Sequence, residues 1–113
     1  MGYYSDVAIA LKKSDWQKMQ KQAETKTEVF GFPFAEMWQE VAERKDGIVV
    51  LRFSGKWYRS YQEIQFVENF LDGVEHEFIR VGEEPGDVET DNSFEDRRSI
   101  FWTETKIVVE QEW

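Results

Sequence analysis

Two stretches of this chain carry side chains whose types and spacing could do chemistry. The first, Lys56-Trp57-Tyr58-Arg59, sets two large aromatics between two cations. Trp, Tyr and Arg dominate the energetic centres of protein interfaces, since each joins broad contact area to a polar or charged group that needs a partner. The competing structural role is that Trp57 caps the core and Tyr58 fills space beside it. The second stretch, residues 83–96, holds seven acids in fourteen positions, among them Glu83, Glu84, Asp87, Glu89 and Asp91. Pro85 and Gly86 interrupt it, so it reads as a solvated loop. Such a loop speeds the approach of a basic partner, and its simpler alternative role is solubility.

Most catalytic and metal chemistry fails on the same residues. Asp87-Val88-Glu89-Thr90-Asp91-Asn92 starts like a calcium-binding EF-hand loop, with carboxylates at the first, third and fifth positions. The sixth position is Asn92 where glycine is needed, and the twelfth is Arg98 where a bidentate glutamate is needed. Adjacent carboxylates divide acid and base roles only where burial or crowding sets them apart, and the Pro85-Gly86 turn promises neither for Glu83 and Glu84. Gly82 and Gly86 lack the following helix and the lysine of a phosphate cradle. His76 is the only histidine, so a serine nucleophile has one candidate base, and no serine sits in a nucleophile elbow. Cysteine is absent, which removes disulfides, thiolate ligands and cysteine nucleophiles and suits a reducing cytosol. The expectation is a protein that is not an enzyme and holds no cofactor and no metal.

Composition sharpens the class. The 113 residues suit a single domain, 1–113, large enough to build a core without cross-links. A formal charge of −9 repels phosphate backbones and argues against direct nucleic-acid binding. It favours a partner whose own surface is basic. Aromatics make 16% of the chain, more than the core of so small a domain readily absorbs, so some are expected at a contact surface. Neither a signal peptide nor an apolar stretch of about 20 residues is present, so a place inside the cell and away from membranes is expected.

Periodicity shows which elements must position these stretches. Residues 48–53, Ile-Val-Val-Leu-Arg-Phe, form the densest β-branched and apolar run and read as a central strand covered on both faces. Residues 3–11 read as a first strand, with Val7, Ile9 and Leu11 on one face and the small Ala8 and Ala10 on the other, fit to lie beneath another tight layer. Ser14 and Gln17 form a capping box for a helix over residues 15–24, with Trp16, Met19 and Ala23 as its apolar stripe. Residues 25–34 read as a loop anchored by Phe30, Phe32 and Phe34. Residues 36–44 fit a helix by spacing, but Asp46-Gly47 before a strong strand favours an antiparallel hairpin partner. Ser60 and Glu63 form a second capping box, opening a helix over residues 61–71 that stops at Gly73. Residues 74–81 alternate as a strand with His76, Phe78 and Arg80 on one face. Residues 100–110 read as a long strand closing the sheet. The sum is an α+β fold: an antiparallel sheet of about five strands with two helices packed on one face.

The opening Gly2-Tyr3-Tyr4-Ser5-Asp6-Val7-Ala8-Ile9-Ala10, the Lys56-Trp57-Tyr58 stretch with its helix, and Phe78-Ile79-Arg80-Val81-Gly82-Glu83-Glu84 together resemble small uncharacterised proteins of phages and prophages. That resemblance implies an accessory phage protein that binds a host protein to inhibit or redirect it, including bacterial immunity systems, and it supplies no catalytic residues. The leading expectation is therefore a small acidic binding protein of the host cytoplasm, directed at a basic, nucleic-acid-binding host protein. The alternative is a domain that sequesters a nucleotide-like ligand between aromatic rings beside Lys56 or Arg59. Oligomeric state stays open.

Overall fold

The computed structural model describes residues 2–103 and 106–110. The fold is α+β, built on a five-stranded antiparallel sheet of order β2-β3-β1-β4-β5. The strands are β1 (Ser5–Lys12), β2 (Glu40–Glu43), β3 (Ile48–Gly55), β4 (His76–Gly82) and β5 (Val88–Asn92). β1, not β3, is the middle strand: Ile9 stands opposite Leu51 on one side and Phe78 on the other. β3 lies next to it, interior but one place from the edge, and its Leu51 is fully buried.

Alternation along β1 creates two cores. Val7, Ile9 and Leu11 join Val49, Leu51 and Phe78 on the face that receives α1 (Lys13–Ala23) and α3 (Gln62–Leu71). Trp16, Met19 and Ala23 of α1, and Ile64, Val67 and Leu71 of α3, are the buried stripes, spaced by three and four as an amphipathic helix requires. The other face carries Ala8, Ala10, Val50 and Ile79, and it is covered by a third layer. That layer is the C-terminal hairpin of β6 (Phe101–Thr103) and β7 (Ile107–Val109), which buries Ile100, Phe101 and Ile107 over the two alanines. Small side chains at Ala8 and Ala10 let it approach closely. Each large aliphatic or aromatic chain buried there contributes on the order of 1.5–3 kcal/mol.

Several expectations are corrected by this arrangement. Residues 100–110 do not extend the sheet; they break into a two-stranded sheet of their own, and the Glu104 and Thr105 part of the expected long strand lies outside the described residues. A side chain holds this layer down: Glu77, buried in β4, accepts the backbone amides of Ile100 at 2.9 Å and Phe101 at 3.3 Å, and the Ser99 hydroxyl. Neither capping box forms. The Lys13 amide is taken by the Gly47 carbonyl at 3.0 Å, so α1 leaves β1 directly with Lys12 as its N-cap and Ser14 already inside the helix. α3 is capped at Tyr61 without a side-chain bond, after a tight turn in which the Tyr61 amide donates to the Tyr58 carbonyl at 2.9 Å. Gly73 is not left-handed; the positive-φ glycines are 31, 47, 55 and 86.

Residues 25–34 are only in part a loop: a 3-10 turn at Glu24–Lys26 leads to the single turn α2 (Thr27–Phe30), closed by Gly31 at φ 87°, and residues 31–33 alone are irregular before the next turn begins at Phe34. Only Phe34 of the three phenylalanines is fully buried; Phe30 and Phe32 pack against the core half-exposed. The segment before β3 uses both of its readings. Phe34–Met37 forms a 3-10 turn that buries Phe34 and Met37, and β2 then pairs antiparallel with β3, Val41 opposite Leu51. Gly47, at φ 82°, makes the hairpin turn. Among the described residues no helix is long and apolar enough to cross a membrane.

Candidate functional site

The chain rises from β3 through Gly55 into Lys56-Trp57-Tyr58-Arg59, and these four side chains go four ways. Lys56 is exposed. Trp57 turns inward, 5% exposed, with its ring 5.1 Å from Phe53 and 6.0 Å from Phe78, and its indole N–H donates to Glu68 at 3.0 Å. The core-capping role is thus the one Trp57 fills. Tyr58 packs against Tyr61 with ring centres 5.2 Å apart and planes tilted by 53°, and its hydroxyl oxygen accepts the Tyr3 amide at 2.7 Å. Arg59 donates its Nε to Glu68 at 3.0 Å and both terminal nitrogens to Glu89 at 2.9 and 3.1 Å.

Glu89 brings in the acidic stretch, which is only in part the loop expected of it: residues 83–87 and 93–96 are turn or irregular, the middle is not. Residues 88–92 form β5, paired with β4 so that Arg80 stands opposite Glu89 and Phe78 opposite Asp91. The reason is Arg80, only 8% exposed and unpredicted as a hub. Its guanidinium donates to Glu89 at 2.6 Å, to Asp87 at 2.6 Å and to the Ser5 hydroxyl at 2.9 Å. A buried cation requires such partners, and two carboxylates two residues apart supply them, Glu89 within β5 and Asp87 just before it. Tyr3 extends the chain of bonds: its hydroxyl donates to Asp87 at 2.6 Å and accepts the Glu84 amide at 3.0 Å. The result is a continuous network from Glu68 through Arg59, Glu89, Arg80 and Asp87 to Tyr3.

Electrostatics follow the bonds. Arg80 and then Tyr3 hold the Asp87 carboxyl below its usual range. The Arg59 hydrogen bonds, with Arg80 adding to them, hold Glu89 low against the opposing effect of partial burial. Hydrogen bonding to Asp87 raises the Tyr3 phenol, which keeps it protonated as a donor. Arg59 is raised chiefly by Glu89. The pairing of Arg59 and Arg80 with Glu89 and Asp87 therefore favours the charged form of all four groups.

A cleft of roughly 210 Å³ opens beside this network, lined by Arg59, Glu68, His76, Phe78, Glu89 and Asp91 among others. Among the described residues Phe78 is the one benzenoid ring that lines it. His76, 6% exposed, faces the Val74 carbonyl at 2.9 Å through Nδ1 and Asp91 at 3.1 Å through Nε2. It is a hydrogen-bonded strand residue. Glu89 and Asp91 are engaged by arginine and histidine on an extended strand, which is not the curled loop an EF-hand needs, and the described residues contain no group of three or more ligating side chains able to hold a metal.

Of the five acids picked out from the sequence, Glu83 and Glu84 are left over, as are Glu95 and Asp96 further along the stretch. Glu83 and Glu84 are both exposed, and neither side chain makes a hydrogen bond or ion pair with other described residues. They sit at the β4–β5 turn, which Gly86 closes at φ 83°, with the Asp87 amide on the Glu84 carbonyl at 3.1 Å and the Gly82 amide on the Asp87 carbonyl at 2.8 Å. The structure thus brings Arg59, Asp87 and Glu89 together, buries Trp57, and leaves Lys56, Glu83 and Glu84 outside. Sequence reasoning missed Tyr3, Glu68 and Arg80; the only available sign was an arginine on the apolar face of a strand. No family model matches this chain, and no curated protein or solved structure matches it.

Proposed function

We propose that this chain is a small acidic binding protein, without catalysis of its own, that engages a basic surface on a protein partner through the β4–β5 turn. The observation that carries this reading is the bracing of that turn: the Glu84 amide rests on the Tyr3 hydroxyl, which bonds the Asp87 carboxylate that Arg80 holds, so Glu83 and Glu84, unpaired among the described residues, stand on a preorganised support. Preorganisation lowers the entropy lost on binding, and unpaired carboxylates at a net charge of −9 steer a cationic partner. A host protein that itself handles nucleic acid has the surface that fits, and an accessory phage protein that blocks it is the corresponding role.

The test is capture from bacterial lysate followed by kinetics on the isolated partner. Glu83→Gln with Glu84→Gln is expected to slow association about tenfold at low salt and flatten its salt dependence, with the melting temperature unchanged. An on-rate identical to wild type, or inactivation of the partner at far below equimolar amounts, would overturn the proposal.

A further inference from the structure

The helical layer carries a second feature of different chemistry. A cleft of about 370 Å³ lies between the end of α1, α2 and α3. Its lining includes three rings: Phe30 and Phe66 are 5.6 Å apart, Phe66 and Phe70 6.5 Å apart, and all three are half-buried. Carboxamides line it as well, Gln22 from α1 and Gln62, Gln65 and Asn69 from α3, of which Gln65 is already bonded to the Arg59 carbonyl at 3.0 Å. Among the described residues Lys26 is the only charged one lining it, with its ammonium 6.0 Å from the Phe66 ring centre. Although the chain carries a net charge of −9, no carboxylate of the described residues lines this cleft. Charge is segregated: residues 12–26 hold Lys12, Lys13, Lys18, Lys21 and Lys26 against Asp15 and Glu24. Lys18 and Lys21 make no hydrogen bond or ion pair with other described residues.

We propose that this cleft binds a planar aromatic anion of the nucleoside monophosphate class. The exposed part of a half-buried phenyl ring stacks on any base, carboxamides supply donor and acceptor together to a base edge, and one cation matches one phosphate group. The volume falls in the range of about 300–1,000 Å³ that small-ligand sites occupy. The three rings and Val29 offer far less apolar surface than the roughly 800 Å² per partner of a specific protein interface, which favours a small ligand over a docked chain. The site is independent of the β4–β5 turn.

The experiment is an NMR titration of the full chain with AMP, adenosine and inorganic phosphate as separate probes. AMP is expected to shift the backbone amides of α2 and α3 saturably, adenosine to shift the same amides at least about tenfold more weakly, and phosphate alone to leave them unmoved. Phe66→Ala risks unfolding, so the deciding variants are Lys26→Glu and Asn69→Asp, which are expected to bring AMP down to the affinity of adenosine or below while the remaining spectrum is preserved. No saturable shift at millimolar AMP, an equal response to phosphate alone, or shifts of the same amides on simple concentration of the protein, which would mean a second copy in the cleft, would each overturn the assignment.

Discussion

The buried Glu77 carboxylate accepts the Ile100 amide at 2.9 Å, and with it the Phe101 amide, so β6 is fastened to the sheet by a side chain and not by a strand ladder. Glu77→Ala leaves two buried amides without an acceptor, each a loss of about 1–3 kcal/mol, and should destabilise the fold by about 2–4 kcal/mol in urea unfolding. Glu77→Gln, which keeps one oxygen, should recover part of that. Hydrogen exchange at Ile100 and Phe101 provides the local check: amides as protected in Glu77→Ala as in wild type would show that apolar packing alone holds the hairpin.

The turn that presents Glu83 and Glu84 depends on a missing methyl. A Cβ on Gly82 would run into the Asp87 carboxylate and the Tyr3 hydroxyl, which occupy that space to bond each other. Gly82→Ala should part the two and cost about 1–2 kcal/mol, and Tyr3→Phe, which removes only the hydroxyl, should weaken the same element. Because both act on one contact, the double variant should lose less than the sum of the singles, a difference of at least about 0.5 kcal/mol in thermal or urea unfolding. Strict additivity would mean that Tyr3 does not brace the turn through Asp87.

Asp87 and Glu89 both sit below their ordinary values of 3.8 and 4.5, through Arg80 and Arg59 respectively as the leading causes. A carboxyl lowered by folding contributes stability that is fully present above its unfolded pKa and is lost as pH falls through the folded one. Stability should therefore be level near neutrality and decline as pH drops below about 4.5, continuing under the ordinary range of both acids. Arg80→Gln removes the main cause for Asp87 and a contributing one for Glu89, so its urea midpoint should fall less steeply with acid. Parallel curves for the two proteins below about pH 4.5 would contradict the network.

Local patterning was sufficient for much of the fold. The alternation Val7, Ile9, Leu11 against Ala8, Ala10 specified a strand with one large and one small face, and the spacing Trp16, Met19, Ala23 specified the helix that covers the large one. Asp46-Gly47 specified the hairpin, since a left-handed glycine after aspartate suits that turn. These features rest on neighbours within a few residues, where period and backbone preference decide. What covers the small face was beyond local reach: residues 100–110 have strand chemistry, but whether such a segment joins a sheet edge or lies across a face depends on a carboxylate at residue 77, more than twenty positions away. The candidate site divides the same way. Its acidic and aromatic-basic stretches were visible as compositional runs, yet Arg59 and Glu89, thirty residues apart, are paired only because β5 is drawn onto β4 by the buried Arg80. A charge in a sequence has no partner until the fold brings one near. The tertiary structure alone therefore decided which acids of this stretch are consumed inside the protein and which, Glu83 and Glu84 among them, stay exposed without a partner among the described residues.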